Sequence, residues 1–88
     1  MQSPSESPIA DSHVREEVES CLALGRSTQT LSAAGDRLAA ARAAVELVRV
    51  YDRVLEIAQL VPLSLPEQQL VRDRLTPVAD LLRKYRLR

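Results

Sequence analysis

The residues of this chain that could carry chemistry of their own are His13 and Cys21, the single histidine and the single cysteine. A zinc site needs about four protein ligands, or three and a water, so one residue of each type does not predict a metal centre. Cys21 falls on the apolar face of a predicted helix, away from positive charge, and this position favours a buried structural thiol over a reactive one.

Glycine spacing and nucleophile pattern give no catalytic signature. The two glycines, Gly25 and Gly35, match no phosphate-binding loop, and no serine or cysteine has a plausible general base beside it. We therefore predict that the protein is not an enzyme and has no cofactor. One cysteine excludes an internal disulfide framework, and no signal-peptide pattern opens the chain, so we expect an intracellular, cytoplasmic protein.

Charge is balanced overall but differs between the two ends of the sequence. Residues 1–36 hold six acidic residues against two basic ones, a net charge of −4, and residues 62–88 hold six basic against three acidic, a net charge of +3. Antiparallel self-association, or an acidic patch on a partner, would fit this asymmetry. The alternative is a nucleic-acid or membrane-surface role for the basic residues at the C-terminal end, namely Arg83, Lys84, Arg86 and Arg88.

Composition divides the N-terminal third into an arm and a first helix. The Ser/Pro-rich residues 1–11 lack hydrophobic periodicity and are predicted to be a disordered arm, in which Ser3 and Ser7 each precede a proline. A short helix is predicted over about 12–24, with Gly25 as its natural stop. The next helix, predicted over about 30–61, is expected to begin between Thr28 and Asp36, and whether the two helices are continuous stays open.

The segment LAAARAAVELVRVYDRVLEIAQLV, residues 38–61, is apolar around most of its circumference. At about 100° per residue, its charged side chains form one stripe about 120° wide. Pairs such as Arg53 with Glu56 can form within this stripe. An ordinary surface helix buries one stripe and exposes the rest, so this segment predicts a central helix with contacts on at least two sides.

A third helix is predicted over about 65–87. Pro62 ends the preceding helix, and Ser64 followed by Glu67 has the spacing of a capping box. The apolar heptad continues across Pro77, which favours a kinked helix over a loop, with a new helix capped by Thr76 as the alternative. Asp80 is spaced to pair with Lys84.

The sequence thus predicts an all-α domain over residues 12–88, a helical hairpin or three-helix bundle with a long central helix and a kinked C-terminal helix. No stretch is long and apolar enough for a transmembrane span. We expect a protein-protein interaction module, a small adaptor or complex subunit that binds a protein partner or forms a homo-oligomer, with nucleic acid disfavoured. A closed monomeric bundle is the alternative. The sequence assigns no family. The expected interface lies on one flank of the central helix at Leu47, Val50, Val54, Ile57 and Val61, and on the other at Val45, Val48 and Leu55.

Overall fold

The computed structural model describes residue 9 and residues 11–87, and this part of the chain contains three α-helices and no strand. Helix α1 spans Ser12–Ala33, α2 spans Arg37–Leu60 and α3 spans Leu65–Lys84. The helices run up, down and up: Arg53 of α2 pairs with Glu17 near the start of α1, and Lys84 at the end of α3 lies beside the α1–α2 turn. The prediction of an all-α three-helix bundle is confirmed.

The start of α1 corrects the boundary of the predicted arm. The Asp11 carboxylate caps the helix by accepting a hydrogen bond from the Val14 backbone N–H at 2.9 Å. Ile9 is only 1% exposed and packs in the core with Val14 and Val18. The prediction that residues 1–11 are disordered is therefore wrong for Ile9 and Asp11. The rest of the predicted arm, with Ser3 and Ser7, lies outside the described residues.

Gly25 does not end the first helix, and that prediction is wrong. It lies buried in the middle of α1, where a Cβ atom would come 3.3 Å from a Val78 methyl carbon of α3. A glycine inside a helix costs about 1 kcal/mol of propensity, but here it permits close approach of α1 and α3. The helix stops instead at Gly35, whose φ of +83° terminates α1, and Asp36 caps α2.

Helix α3 begins as the sequence predicts. The Ser64 and Glu67 side chains each accept a hydrogen bond from the other residue's backbone N–H, and Pro66 lies in the first turn. The helix continues through Pro77, so the alternative start at Thr76 is wrong, whereas the kink itself stays a prediction. It ends at Lys84 and not at residue 87, because Arg86 adopts a φ of +60°.

The helices pack unequally around one apolar core. Helix α1 packs most extensively on α2, less on α3, and the contact between α2 and α3 is the smallest. Helix α2 is the longest, as predicted. Helix α1 is longer than the predicted short helix, and it packs against both α2 and α3. The core is formed by Ile9, Val14, Val18, Cys21, Leu47, Val54, Val71, Leu75, Val78, Leu81 and Leu82.

Candidate interaction face

The residues predicted to form an interface on α2 separate by burial. Leu47 and Val54 are wholly buried in the core of their own chain, so a partner cannot reach them in the folded state. Val50, Ile57 and Val61 are half-buried on the flank that faces α1, the side on which Arg53 meets Glu17 at 3.9 Å. The chain's own first helix therefore covers much of this flank.

The other flank of α2 is more open. Val48 and Leu55 are half-buried at its edge, and Val45 is 45% exposed. At about 100° per residue these three side chains lie within about 80° of each other around the helix. Leu55 lines the groove between α2 and α3, Val48 lies about 20° from it around the helix, and Val45 lies about 80° from it toward solvent.

A shallow groove separates α2 and α3 along this side. Tyr51, Leu55 and Ala58 line it from α2, and Val71 with the stem of Arg72 lines it from α3. Gln59 and Gln68 stand at its margin as uncharged polar groups. The lining combines four apolar residues with three polar ones, and a mixed composition of this kind is common at protein-protein interfaces.

Leu65 extends the open surface at the start of α3. It is 79% exposed, and its position on the helical wheel places it in line with Arg72 on the side toward α2. The sequence does not predict Leu65 as an interface residue, because periodicity does not distinguish a leucine in a first helical turn. We name the α2–α3 face as the surface formed by Ala41, Val45, Val48, Tyr51, Leu55, Leu65 and Arg72.

The solvent-facing side of α2, next to the α2–α3 face, carries the charged stripe. Glu46 and Arg49 are 4.0 Å apart, as their spacing predicts, whereas Arg53 reaches across to Glu17 of α1 in place of the predicted Glu56. Leu60, which is 76% exposed, lies on this charged side. It is a large exposed apolar residue outside the α2–α3 face.

The basic residues of the C-terminal end are only partly free to act together. Arg83 donates a hydrogen bond to Asp80, which takes the place of the predicted Asp80–Lys84 pair. Lys84 lies near Arg37 of α2. The sequence does not predict this proximity, because the two residues are far apart in the chain. Arg86 is exposed just beyond the helix, and Arg88 lies outside the described residues.

Groups with possible reactivity do not assemble into a site. Burial, and then the nearby Glu17 carboxylate, raise the pKa of the Cys21 thiol from 9.0 to about 11, which suppresses the thiolate. His13 is exposed in the first turn of α1. Within residues 9 and 11–87, no three His, Cys, Asp or Glu side chains are grouped to hold a metal ion.

None of the helices in the described part of the chain combines the length and apolarity needed to cross a bilayer. Comparison with known proteins gives no match to a family model, to a curated protein or to a solved structure. Any inference about function therefore depends on the geometry of this chain's own surface.

Proposed function

We propose that this chain is a non-enzymatic protein-protein interaction module, a small adaptor or complex subunit that buries Leu, Val and Ala side chains of its helices against another polypeptide. The observation that carries the proposal is the α2–α3 face. There the two helices make their smallest contact, and apolar side chains of α2 remain half-buried or exposed beside a groove.

The small size of the chain limits its stability, so covering the α2–α3 face would matter for the free energy of unfolding. A chain of this length buries only about 60 to 65% of its unfolded surface, so its own core leaves little margin of stability. Each Å² of apolar surface removed from water contributes about 25 cal/mol, and covering Val45, Val48 and Leu55 would add to that margin. Binding a partner would then stabilise the fold by mass action.

Three observations support a role without catalysis. The described residues include no grouped set of metal-binding side chains, the one thiol is buried with a raised pKa, and the one histidine is exposed on the first turn of α1. The arginines and glutamates of α2 form an exposed stripe with one long-range pair to α1. Such a stripe solubilises the helix.

Site-specific photo-crosslinking in the cells that make the protein tests this function. Val45 is replaced by p-benzoylphenylalanine in one variant, and Leu60, which is 76% exposed against 45% for Val45 and lies on the charged side, is replaced in the control. We expect discrete adducts from position 45 and only background from position 60. Equal labelling from both positions, or no discrete adduct from position 45, would contradict the proposal.

A second candidate is binding of nucleic acid or an anionic membrane surface by the basic C-terminal end. The observation that favours it is the proximity of Arg37 to Lys84, which widens the basic region beyond the end of α3. Asp36 and Asp80 lie at the same end and reduce its charge. Changing Arg83, Lys84, Arg86 and Arg88 to Gln must weaken binding to DNA, RNA or anionic vesicles if this candidate is correct; unchanged affinity excludes it.

A further inference from the structure

The three-helix topology turns the charge asymmetry of the sequence into a dipole in space. One end of the bundle is formed by residues 11–20 and 52–67, with seven acidic residues against two arginines, a net charge of −5. The other end is formed by residues 26–42 and 79–87, with six basic residues against two acidic, a net charge of +4. The opposite charges therefore lie at opposite ends of one elongated molecule.

The length of the bundle separates these two ends electrostatically. The described chain extends 43 Å along its longest axis, several times the Debye length of about 8 Å at physiological ionic strength. Within one molecule the acidic and basic ends therefore attract each other little. A second molecule laid alongside in the opposite direction would bring unlike ends together twice.

The α2–α3 face has the form that such a neighbour requires. It runs along the bundle between the two charged ends. It is bounded at the basic end by Leu38, which is 63% exposed near the start of α2, and at the acidic end by Leu65. If two copies meet across this face in opposite directions, Leu38 of each copy approaches Leu65 of the other. An interface related by a two-fold axis demands this kind of self-complementarity.

We propose that the occupant of the α2–α3 face is a second copy of this chain, packed antiparallel so that the acidic end of each protomer lies beside the basic end of the other. This inference rests on the proposed function and names the partner. Val48 lies close to the two-fold axis, because it is near the middle of α2. The apolar centre of the face supplies affinity, and the charged ends fix the direction.

A parallel arrangement of two copies is disfavoured by the same charges, because it would place the two ends of net charge −5 together and the two of +4 together. An unrelated acidic protein would neutralise only the basic end and would leave the acidic end without a charge partner. The antiparallel pair satisfies both ends with one surface, and its interface is closed, so it stops at a dimer.

Sedimentation equilibrium of the full chain, from micromolar to millimolar concentration, tests the association. We expect a reversible dimer. Val45→Lys should raise its dissociation constant by at least about tenfold, because the symmetric interface would bury the new charge twice. The matched control, Ala23→Lys, adds the same charge on the exposed side of α1, outside the two charged ends, and should leave the constant within about twofold, since an exposed surface change seldom perturbs a distant interface. Circular dichroism establishes that both variants remain folded, and equal effects of the two changes would overturn the assigned face.

Salt dependence and crosslinking test the direction of packing. Raising NaCl from about 0.05 M to about 0.5 M should weaken the dimer, because it screens the paired ends; a constant that does not rise overturns the charge pairing. When chains carrying Leu38→Cys are mixed with chains carrying Leu65→Cys, a short bis-maleimide should link the two kinds of chain. Dominant linkage of Leu38→Cys chains to each other would indicate parallel packing and overturn the proposal.

Failure of this inference can be told apart from failure of the proposed function. A chain that stays monomeric at all concentrations excludes the second copy as occupant. The photo-adduct from position 45 then decides the wider question: an adduct with a different polypeptide keeps the interaction module and removes self-association. An adduct that contains only this chain, at about twice 9.8 kDa, supports both.

Discussion

The two flanks of α2 differ in how far the other helices of the chain cover them. Toward α1, the helix packs along its length, and the contact is flanked by the Arg53–Glu17 ion pair. Toward α3, the contact is the smallest in the bundle and leaves a groove lined by Tyr51 and Leu55. Similar aliphatic side chains occupy both flanks, so composition does not separate them.

Backbone proximity accounts for part of this difference. Gly25 lets α3 approach α1 closely, with Val78 directly opposite. Helix α2 contains no glycine, and Tyr51 and Leu55 line its side toward α3. Side chains of this size favour a wider separation of helix axes than glycine does. The helix that covers α2 more extensively is thus α1, and the more open side, where we propose that a partner binds, is the one toward α3.

The largest expected effect on the free energy of unfolding distinguishes two adjacent residues of α2, the buried Leu47 and the half-buried Val48 at the open face. Leu47→Ala should lower the free energy of unfolding by about 2 to 4 kcal/mol, because Leu47 is wholly buried and truncation leaves a cavity. Val48→Ala should cost about 1 kcal/mol or less, because Val48 is half-buried at the open face. Urea denaturation at low protein concentration measures both; equal losses would mean that the two flanks are equally closed.

The close approach of α1 and α3 gives the next effect. Gly25→Val should destabilise the fold by about 1 to 3 kcal/mol. Even a lone Cβ at this position would lie 3.3 Å from a Val78 methyl carbon, so the two methyl groups of the new valine would collide with Val78. Ala23→Val, on the exposed side of the same helix, is the matched control and should cost about 0.5 kcal/mol through helix propensity. Thermal unfolding of both variants checks the difference, and a neutral Gly25→Val would show that the two helices can separate freely.

Alkaline pH probes the closed interior at Cys21. In the unfolded chain the thiol ionises near its ordinary pKa of 9.0, whereas in the folded chain the pKa is about 11. The folded state therefore holds the proton more tightly, so the free energy of unfolding should fall by about 2 kcal/mol as pH rises from 9.0 to 11. Cys21→Ala should lose this component of the pH dependence. Identical slopes for the two proteins in urea denaturation between those pH values would contradict a buried thiol.

The smallest effect concerns the ion pairs beside the two sides of α1. Glu17→Gln, which removes the partner of Arg53, should cost a few tenths of a kcal/mol at low salt, and Glu19→Gln, which removes the partner of Arg74, about the same. Both losses should shrink as salt is raised. Denaturation at two salt concentrations checks this, and a loss above about 1 kcal/mol would mean that these pairs organise the packing.

The sequence signals that predict the helices correctly are local ones. The capping box of Ser64 with Glu67 and the heptad that crosses Pro77 predict α3, because capping and amphipathic periodicity act over one or two turns. The prediction that Gly25 ends the first helix is wrong for the same reason. Its local preference favours a helix end, but its position against Val78 depends on where α3 lies.

The candidate interface shows the same division between local and long-range information. Its α2 members were predictable from the breadth of the apolar surface, which includes Val45, Val48 and Leu55. Leu65 was not predictable, because its membership depends on α3 lying alongside α2. Nor could sequence show that Leu47 and Val54 are sealed inside the core, since both flanks of the helical wheel look equally apolar.

By itself, the sequence determined that the chain forms helices, where α3 begins, and that α2 is apolar over most of its circumference. These properties depend on backbone hydrogen bonding, capping and the period of the helix, which act between near neighbours in the chain. Only the tertiary structure decided which flank of α2 is covered and that acidic and basic residues gather at opposite ends of the bundle. Those outcomes depend on how closely whole helices can approach, and that distance is set by residues far apart in the chain, such as Gly25 and Val78.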